Sequence, residues 1–148
     1  MLAKSLCLGS LLLVALLQTT GEEQAKQDLQ KMQGTWTIAA LEVDGKDVPA
    51  DKLGGSILTI KGDHYEVKVK DTKHGCTIKL DAGKTPRAID MIFAQPGDAD
   101  KIHKGVYKID GDKLVICRGL NASQERPGQF ATWPDTSVFV ITWQRQAK

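Results

Sequence analysis

Apolar and polar residues alternate along most of this chain with a period of two, the spacing that sends successive side chains to opposite faces of a β-strand. Tyr65, Val67 and Val69 alternate with Glu66, Lys68 and Lys70, and Cys76, Ile78 and Leu80 alternate with Thr77, Lys79 and Asp81. Ile89, Met91 and Phe93 share one face of the next run. Near the C-terminal end Val138, Val140 and Thr142 fall on one face, and Phe139, Ile141, Trp143 and Arg145 on the other. Turn residues separate these runs: Asp44-Gly45, Gly62-Asp63, Pro96-Gly97-Asp98 and Asp110-Gly111-Asp112. Asp and Gly accept the backbone angles of tight turns, and the last of these sits between 105–109 and 113–118 as a hairpin signal. Connections this short make successive strands antiparallel neighbours.

Residues 22–33 keep a different rhythm. They are polar, with Ala25, Leu29 and Met32 at i, i+4 and i+7, one face of a short helix that is stable only if that face packs on something. Gly34-Thr35-Trp36 then opens the first strand, expected over 35–43. The glycine tolerates a sharp entry, and Trp36 brings a large apolar area and an N–H that wants a partner when buried. Residues 48–55 form a longer connection with room for a helical turn after Pro49. The stretch 119–137 breaks the alternation with Pro127, Gly128 and Pro134 around Phe130 and Trp133. It reads as a long loop or as a loop enclosing a short strand at 129–132.

About eight short strands, one short helix and no strand–helix–strand spacing predict an all-β fold: an antiparallel up-and-down barrel or a closed sandwich. A barrel leaves no free edge, so the last strand closes on the first. That brings Arg145 to Trp36, whose indole face can carry a guanidinium for about 0.5–2 kcal/mol.

The 148 residues carry a formal net charge of +2 with acids and bases interspersed. That is the size of one domain, without the electrostatic footprint of a nucleic-acid or anionic-membrane binder. The apolar run 6–17 follows Lys4 and precedes Gln18-Thr19-Thr20-Gly21, the plan of a secretory signal peptide over 1–21 and too short for a membrane anchor. The expected organisation is a signal peptide at 1–21, a short helix at 22–33 and a barrel domain at 34–148. The product is expected to be exported, periplasmic or extracellular, with no integral membrane segment after cleavage. Cys7 leaves with the signal, so Cys76 and Cys117 stay. A disulfide needs Cα atoms within about 7 Å. These two lie on runs three strands apart, and both a pair and two separate buried thiols stay open.

Stretches spread over essentially the whole chain after the signal segment also resemble a known family. They are Gln33-Gly34-Thr35-Trp36, Leu41-Glu42-Val43-Asp44-Gly45-Lys46, Leu58-Thr59-Ile60-Lys61-Gly62-Asp63, Lys84-Thr85-Pro86-Arg87-Ala88-Ile89-Asp90, Gly105-Val106-Tyr107 through Asp110-Gly111-Asp112, and Glu125-Arg126-Pro127. As a set the chain resembles the uncharacterised lipocalin-like family of secreted proteins abundant in planctomycete bacteria. The resemblance implies a lipocalin-type barrel with Gly34 and Trp36 at its floor and Arg145 as the basic residue beside them, all three serving barrel closure. It implies no catalytic residues.

Catalytic and metal motifs are sparse. No Gly-x-Ser-x-Gly, His-Glu-x-x-His, phosphate-binding glycine loop or Cys-x-x-Cys occurs. His74 and Cys76 would face the same way on a strand, but two ligands do not make a metal site. The expectation is a protein that is not an enzyme and needs no metal or cofactor. What is left is the barrel interior, which in eight-stranded barrels either fills with side chains or holds one small ligand. Tyr65 and Val67 on one strand, Tyr107 on another, and Phe130 and Trp133 overhanging a mouth are the candidate ligand-binding residues. The functional expectation is a non-catalytic barrel taking an apolar or amphipathic small molecule. The alternative is an interaction or inhibitor module with a filled core, working through the 119–137 loop on a protein partner of unknown identity.

Overall fold

The structure, a computed structural model, describes residues 20–97 and 99–147. The expected signal segment, apart from its last two residues, lies outside the described residues.

Helix α1 spans Gly21–Met32. The Thr20 hydroxyl accepts a hydrogen bond from the Glu23 amide at 3.2 Å, and Glu22 and Glu23 in the first turn and Lys31 in the last complement the helix dipole. The helix end is tied to the barrel by one side chain. The Gln33 amide nitrogen donates to the carbonyls of Leu29 and Gly62, each at 2.9 Å, and its oxygen accepts from the Gly62 amide at 2.7 Å. Gly34 follows at φ 117°, a value that a side chain would strain, and turns the chain from helix into strand.

The strands are β1 Gly34–Val43, β2 Lys46–Asp47, β3 Ile57–Lys61, β4 His64–Val69, β5 Thr72–Asp81, β6 Ala88–Phe93, β7 Lys101–Asp110, β8 Lys113–Gly119 and β9 Val138–Arg145. β2 only folds back on the end of β1, across Asp44 and Gly45, whose φ values of 49° and 80° are the paired positive angles of a tight hairpin turn. β1 also pairs with β3, and from there each strand pairs antiparallel with the next. β9 returns to β1 in a register running from Trp36↔Arg145 to Val43↔Phe139. The result is a closed, all-antiparallel, eight-stranded up-and-down barrel with one N-terminal helix, consistent with a lipocalin-like fold.

β1 bulges between Ile38 and Ala40. Ahead of the bulge the even-numbered Trp36 and Ile38 face inward. Beyond it the odd-numbered Leu41 takes over, opposite Ile141. The extra residue changes the parity of the strand, so both halves of an imperfectly alternating sequence keep their apolar side chains inside.

A 3-10 turn at Ala50–Lys52 follows Pro49. Residues 120–137 form a long connection without a strand, strapped to the outer wall. Arg126 donates to the Asp90 carboxylate at 2.7 Å and to the Gly105 carbonyl at 2.8 Å. The Thr132 hydroxyl accepts from the Gly45 amide at 2.7 Å and donates to the Glu42 carboxylate, and the Ser137 amide donates to Asp44 at 2.7 Å. Cys76 on β5 and Cys117 on β8 are free and buried. Cys76 points into the barrel, while Cys117 is sealed under the strap with its Sγ 3.9 Å from the Ala131 carbonyl.

The half of the interior next to α1 is solid. Met32, Trp36, Leu58, Ile89, Tyr107 and Leu114 are all at most 1% exposed, and burying side chains of this size contributes about 1.5–3 kcal/mol each. The Trp36 N–H donates to the Met32 carbonyl at 2.9 Å, so the plug of the barrel also caps the helix end. Arg145 lies over the Trp36 ring at 4.1 Å and donates to the carbonyls of Gln33, at 2.8 Å, and Lys31.

Candidate functional site

The other half of the interior is hollow. A cavity of about 290 Å³ is lined by residues that period-two alternation turns inward: Ile38 and Leu41 of β1, Tyr65, Val67 and Val69 of β4, His74 and Cys76 of β5, Met91 and Phe93 of β6, Ile116 and Arg118 of β8, and Phe139, Ile141 and Trp143 of β9. Lys52, Leu53 and Ser56, from the connection before β3, complete the lining. A groove at the rim shares His74, Phe93 and Arg118 with the cavity and adds Gln95, Lys101 and His103. Among the described residues no carboxylate lines either one.

Arg118 continues the inward phase of Leu114 and Ile116, so a cation is delivered where the alternation calls for an apolar side chain. Its cross-strand partner is Gly105, where a Cβ would stand 3.0 Å from the Arg118 Cβ and 2.9 Å from the Cys117 carbonyl. A side chain at 105 would crowd the β8 backbone and the Ile89 side chain as well. The guanidinium lies over Phe139 at 4.6 Å and Phe93 at 5.8 Å. It donates to the Gly119 carbonyl at 2.9 Å and to His103 Nδ1 at 2.8 Å. Since a guanidinium only donates, the imidazole accepts through Nδ1 and carries its proton on Nε2. Burial, helped by the Arg118 charge, lowers the His103 pKa and keeps the ring neutral. Burial also pulls the guanidinium below its usual value, but no carboxylate of the described residues lies within ion-pair distance of it.

Two more polar groups face the same space. Trp143 is 1% exposed, and its indole N–H has no hydrogen-bond partner. The Tyr65 hydroxyl is close enough to sense it but not placed to form a proper bond. Burial raises the Tyr65 pKa well above the ordinary phenol value, so the hydroxyl stays protonated, and it pushes the Cys76 thiol up to about 11. A buried thiol held protonated is a poor nucleophile. His74 and Cys76 do meet at the cavity, but among the described residues no group of three potential ligands could hold a metal ion.

The remaining residues singled out in the sequence lie elsewhere. Tyr65 and Val67 line the cavity. Tyr107 does not: it points inward at the solid end, where its hydroxyl donates to Asp28 at 2.7 Å. Phe130 does not overhang the mouth but lies on the outer wall under the Lys108 ammonium, 4.7 Å from the ring centre. Trp133 stands half exposed beside the Asp44–Gly45 turn. Both aromatics are displaced for the same reason, because the strap meets its hydrogen-bonding needs along the wall and is held there. Gly34, Trp36 and Arg145 gather at the solid end, away from the cavity.

Sequence reading passed over Arg118 and Trp143 as site residues, although the 114, 116, 118 phase carried the signal for the first. It also missed Asp28. This helix residue is 1% exposed and accepts from Tyr107, from Arg87 at 2.7 Å and from Gln24 at 2.9 Å. It lies one turn ahead of the buried Met32, on the face that packs on the barrel.

Compared with protein-family models, with curated proteins and with solved structures, the chain matches none.

Proposed function

We propose that this chain is an exported, non-catalytic, lipocalin-like barrel that binds one apolar or amphipathic small molecule in the hollow half of its interior. The observation that carries the reading is the cavity of about 290 Å³, walled mainly by aliphatic and aromatic side chains with a few polar groups, the make-up of small-molecule sites. Export rests on the charged, apolar and small-residue plan of residues 1–21. The absence of catalysis rests on the protonated Cys76 and on the lack of a catalytic motif in the sequence.

The second reading, a module acting through its loop, draws on Trp133 and Leu120, which are 50% and 46% exposed on the strap. The hollow interior favours the first.

Native mass spectrometry of protein purified from its own host, followed by organic extraction, tests the proposal. A stoichiometric lipid, pigment or metabolite establishes a carrier. Repeatedly empty protein that also ignores a panel of hydrophobic probes moves the assignment to the loop module. N-terminal sequencing of the exported form tests removal of the signal segment.

A further inference from the structure

The cavity is asymmetric in its polar chemistry. Its polar groups include hydrogen-bond donors with room for a further acceptor: the Arg118 guanidinium, whose two hydrogen bonds both leave from one nitrogen, Nη1, and the Trp143 N–H, which makes no well-formed hydrogen bond and has the Tyr65 hydroxyl as its neighbour. An orphaned N–H on a residue 1% exposed is unusual, since buried donors are nearly always satisfied. The Arg118 guanidinium, half-buried at the rim, has two aromatic faces, a carbonyl and a neutral imidazole around it but no carboxylate of the described residues to balance its charge. Lys52 adds positive charge at the lining and Lys101 at the rim.

We infer that the ligand is a small anionic amphiphile, with a carboxylate or similar oxyanion head received by the Arg118 guanidinium and the Trp143 N–H and an apolar body held among the aliphatic and aromatic side chains. This rests on the reading of the cavity as a ligand site and narrows it to one chemical class. An oxyanion supplies the acceptors that both donors lack, and it neutralises the guanidinium through charge-assisted hydrogen bonds, which are stronger than neutral ones. At about 290 Å³ the cavity lies at the small end of the range of ligand pockets, which suits a short chain. Octanoate, with eight carbons including its carboxylate, is a probe of that kind.

The test titrates the protein, stripped of extractable lipid, with octanoate, octan-1-ol and octyltrimethylammonium by calorimetry. The indole N–H resonances are followed in parallel by NMR. Octanoate should bind at least about tenfold more tightly than octan-1-ol, the ammonium should bind most weakly, and octanoate alone should move the Trp143 N–H resonance downfield. Arg118→Met should remove most of the octanoate preference while keeping octan-1-ol binding. Trp143→Phe should weaken octanoate a few-fold and leave octan-1-ol alone. The wild-type comparison decides the matter even if a variant does not fold. If octan-1-ol or the ammonium binds as tightly as octanoate, the anion assignment is overturned and the cavity reading stands. If none of the three binds, both fall.

Discussion

Two arginines face into the barrel from its last two strands, Arg145 at the helix end and Arg118 at the hollow end, and they keep different company. Each lies over aromatic rings, Arg145 over Trp36 at 4.1 Å and Arg118 over Phe139 at 4.6 Å. Arg145 is also anchored by the carbonyls of Lys31 and Gln33 at the helix C-terminus, with the Asp112 carboxylate 3.6 Å away. A cation at a helix C-terminus answers the dipole there, so this arginine is part of the plug. Arg118 has one carbonyl, a neutral imidazole and, among the described residues, no carboxylate. The same side chain on the same aromatic support therefore closes one end of the barrel and leaves the other end chemically incomplete. The packed, hydrogen-bonded core gathers at the first end and the unfilled interior at the second.

That division can be broken by mutation. The largest effect belongs to Trp36→Ala, which empties the plug and removes a cap from α1. It should destabilise by about 3–5 kcal/mol in equilibrium unfolding, as large-to-small changes of buried aromatics do. A loss below about 1 kcal/mol would show that the solid end does not carry the fold.

Next comes Asp28→Ala, which strands the buried Tyr107 hydroxyl and releases Arg87. Leaving a buried group unsatisfied costs about 1–3 kcal/mol, and the half-exposed Arg87 adds little. Asp28→Asn, which keeps an acceptor for Tyr107, should lose about half as much, and equal losses for the two variants would argue against the hydrogen bond as the cause.

The sharpest comparison pairs Arg145→Met with Arg118→Met in urea unfolding. The first should cost about 1–2 kcal/mol through lost ring stacking and helix-end contacts. The second should stay within about 0.5 kcal/mol of the parent or gain stability, because a half-buried cation with no carboxylate of the described residues beside it contributes little to folding. Equal losses at both sites would end the distinction between an arginine that closes the barrel and one that does not.

The smallest effect is on reactivity. With its thiol pushed up to about 11, Cys76 should alkylate at pH 8 about a hundredfold more slowly than a thiol at its ordinary value, read by peptide mass mapping. Labelling as fast as in urea would mean that the cavity wall opens freely.

The strands of the barrel were legible because each half-buried strand repeats every two residues, and turn residues such as Asp44-Gly45 mark where one ends and the next begins. Their closure was legible too, since a run of strands with no free edge must join its ends. The inward phase of Leu114, Ile116 and Arg118 was equally present in the residues. Its meaning was not, because alternation tells which face a side chain takes and not whether a partner waits there. Tyr65 and Tyr107 show the limit plainly. Both face inward, yet one borders a cavity and the other is buried against Asp28, a difference set by where the helix docks.

Local pattern therefore determined the strands, their order and the faces they present, because those depend on neighbours along the chain. Tertiary structure alone decided that the 120–137 strap lies on the wall and not over the mouth, that Asp28 is buried, and that the interior is solid at one end and hollow at the other. Those outcomes depend on how volume and hydrogen-bonding partners from distant segments sum around a closed barrel, which no single stretch of sequence contains.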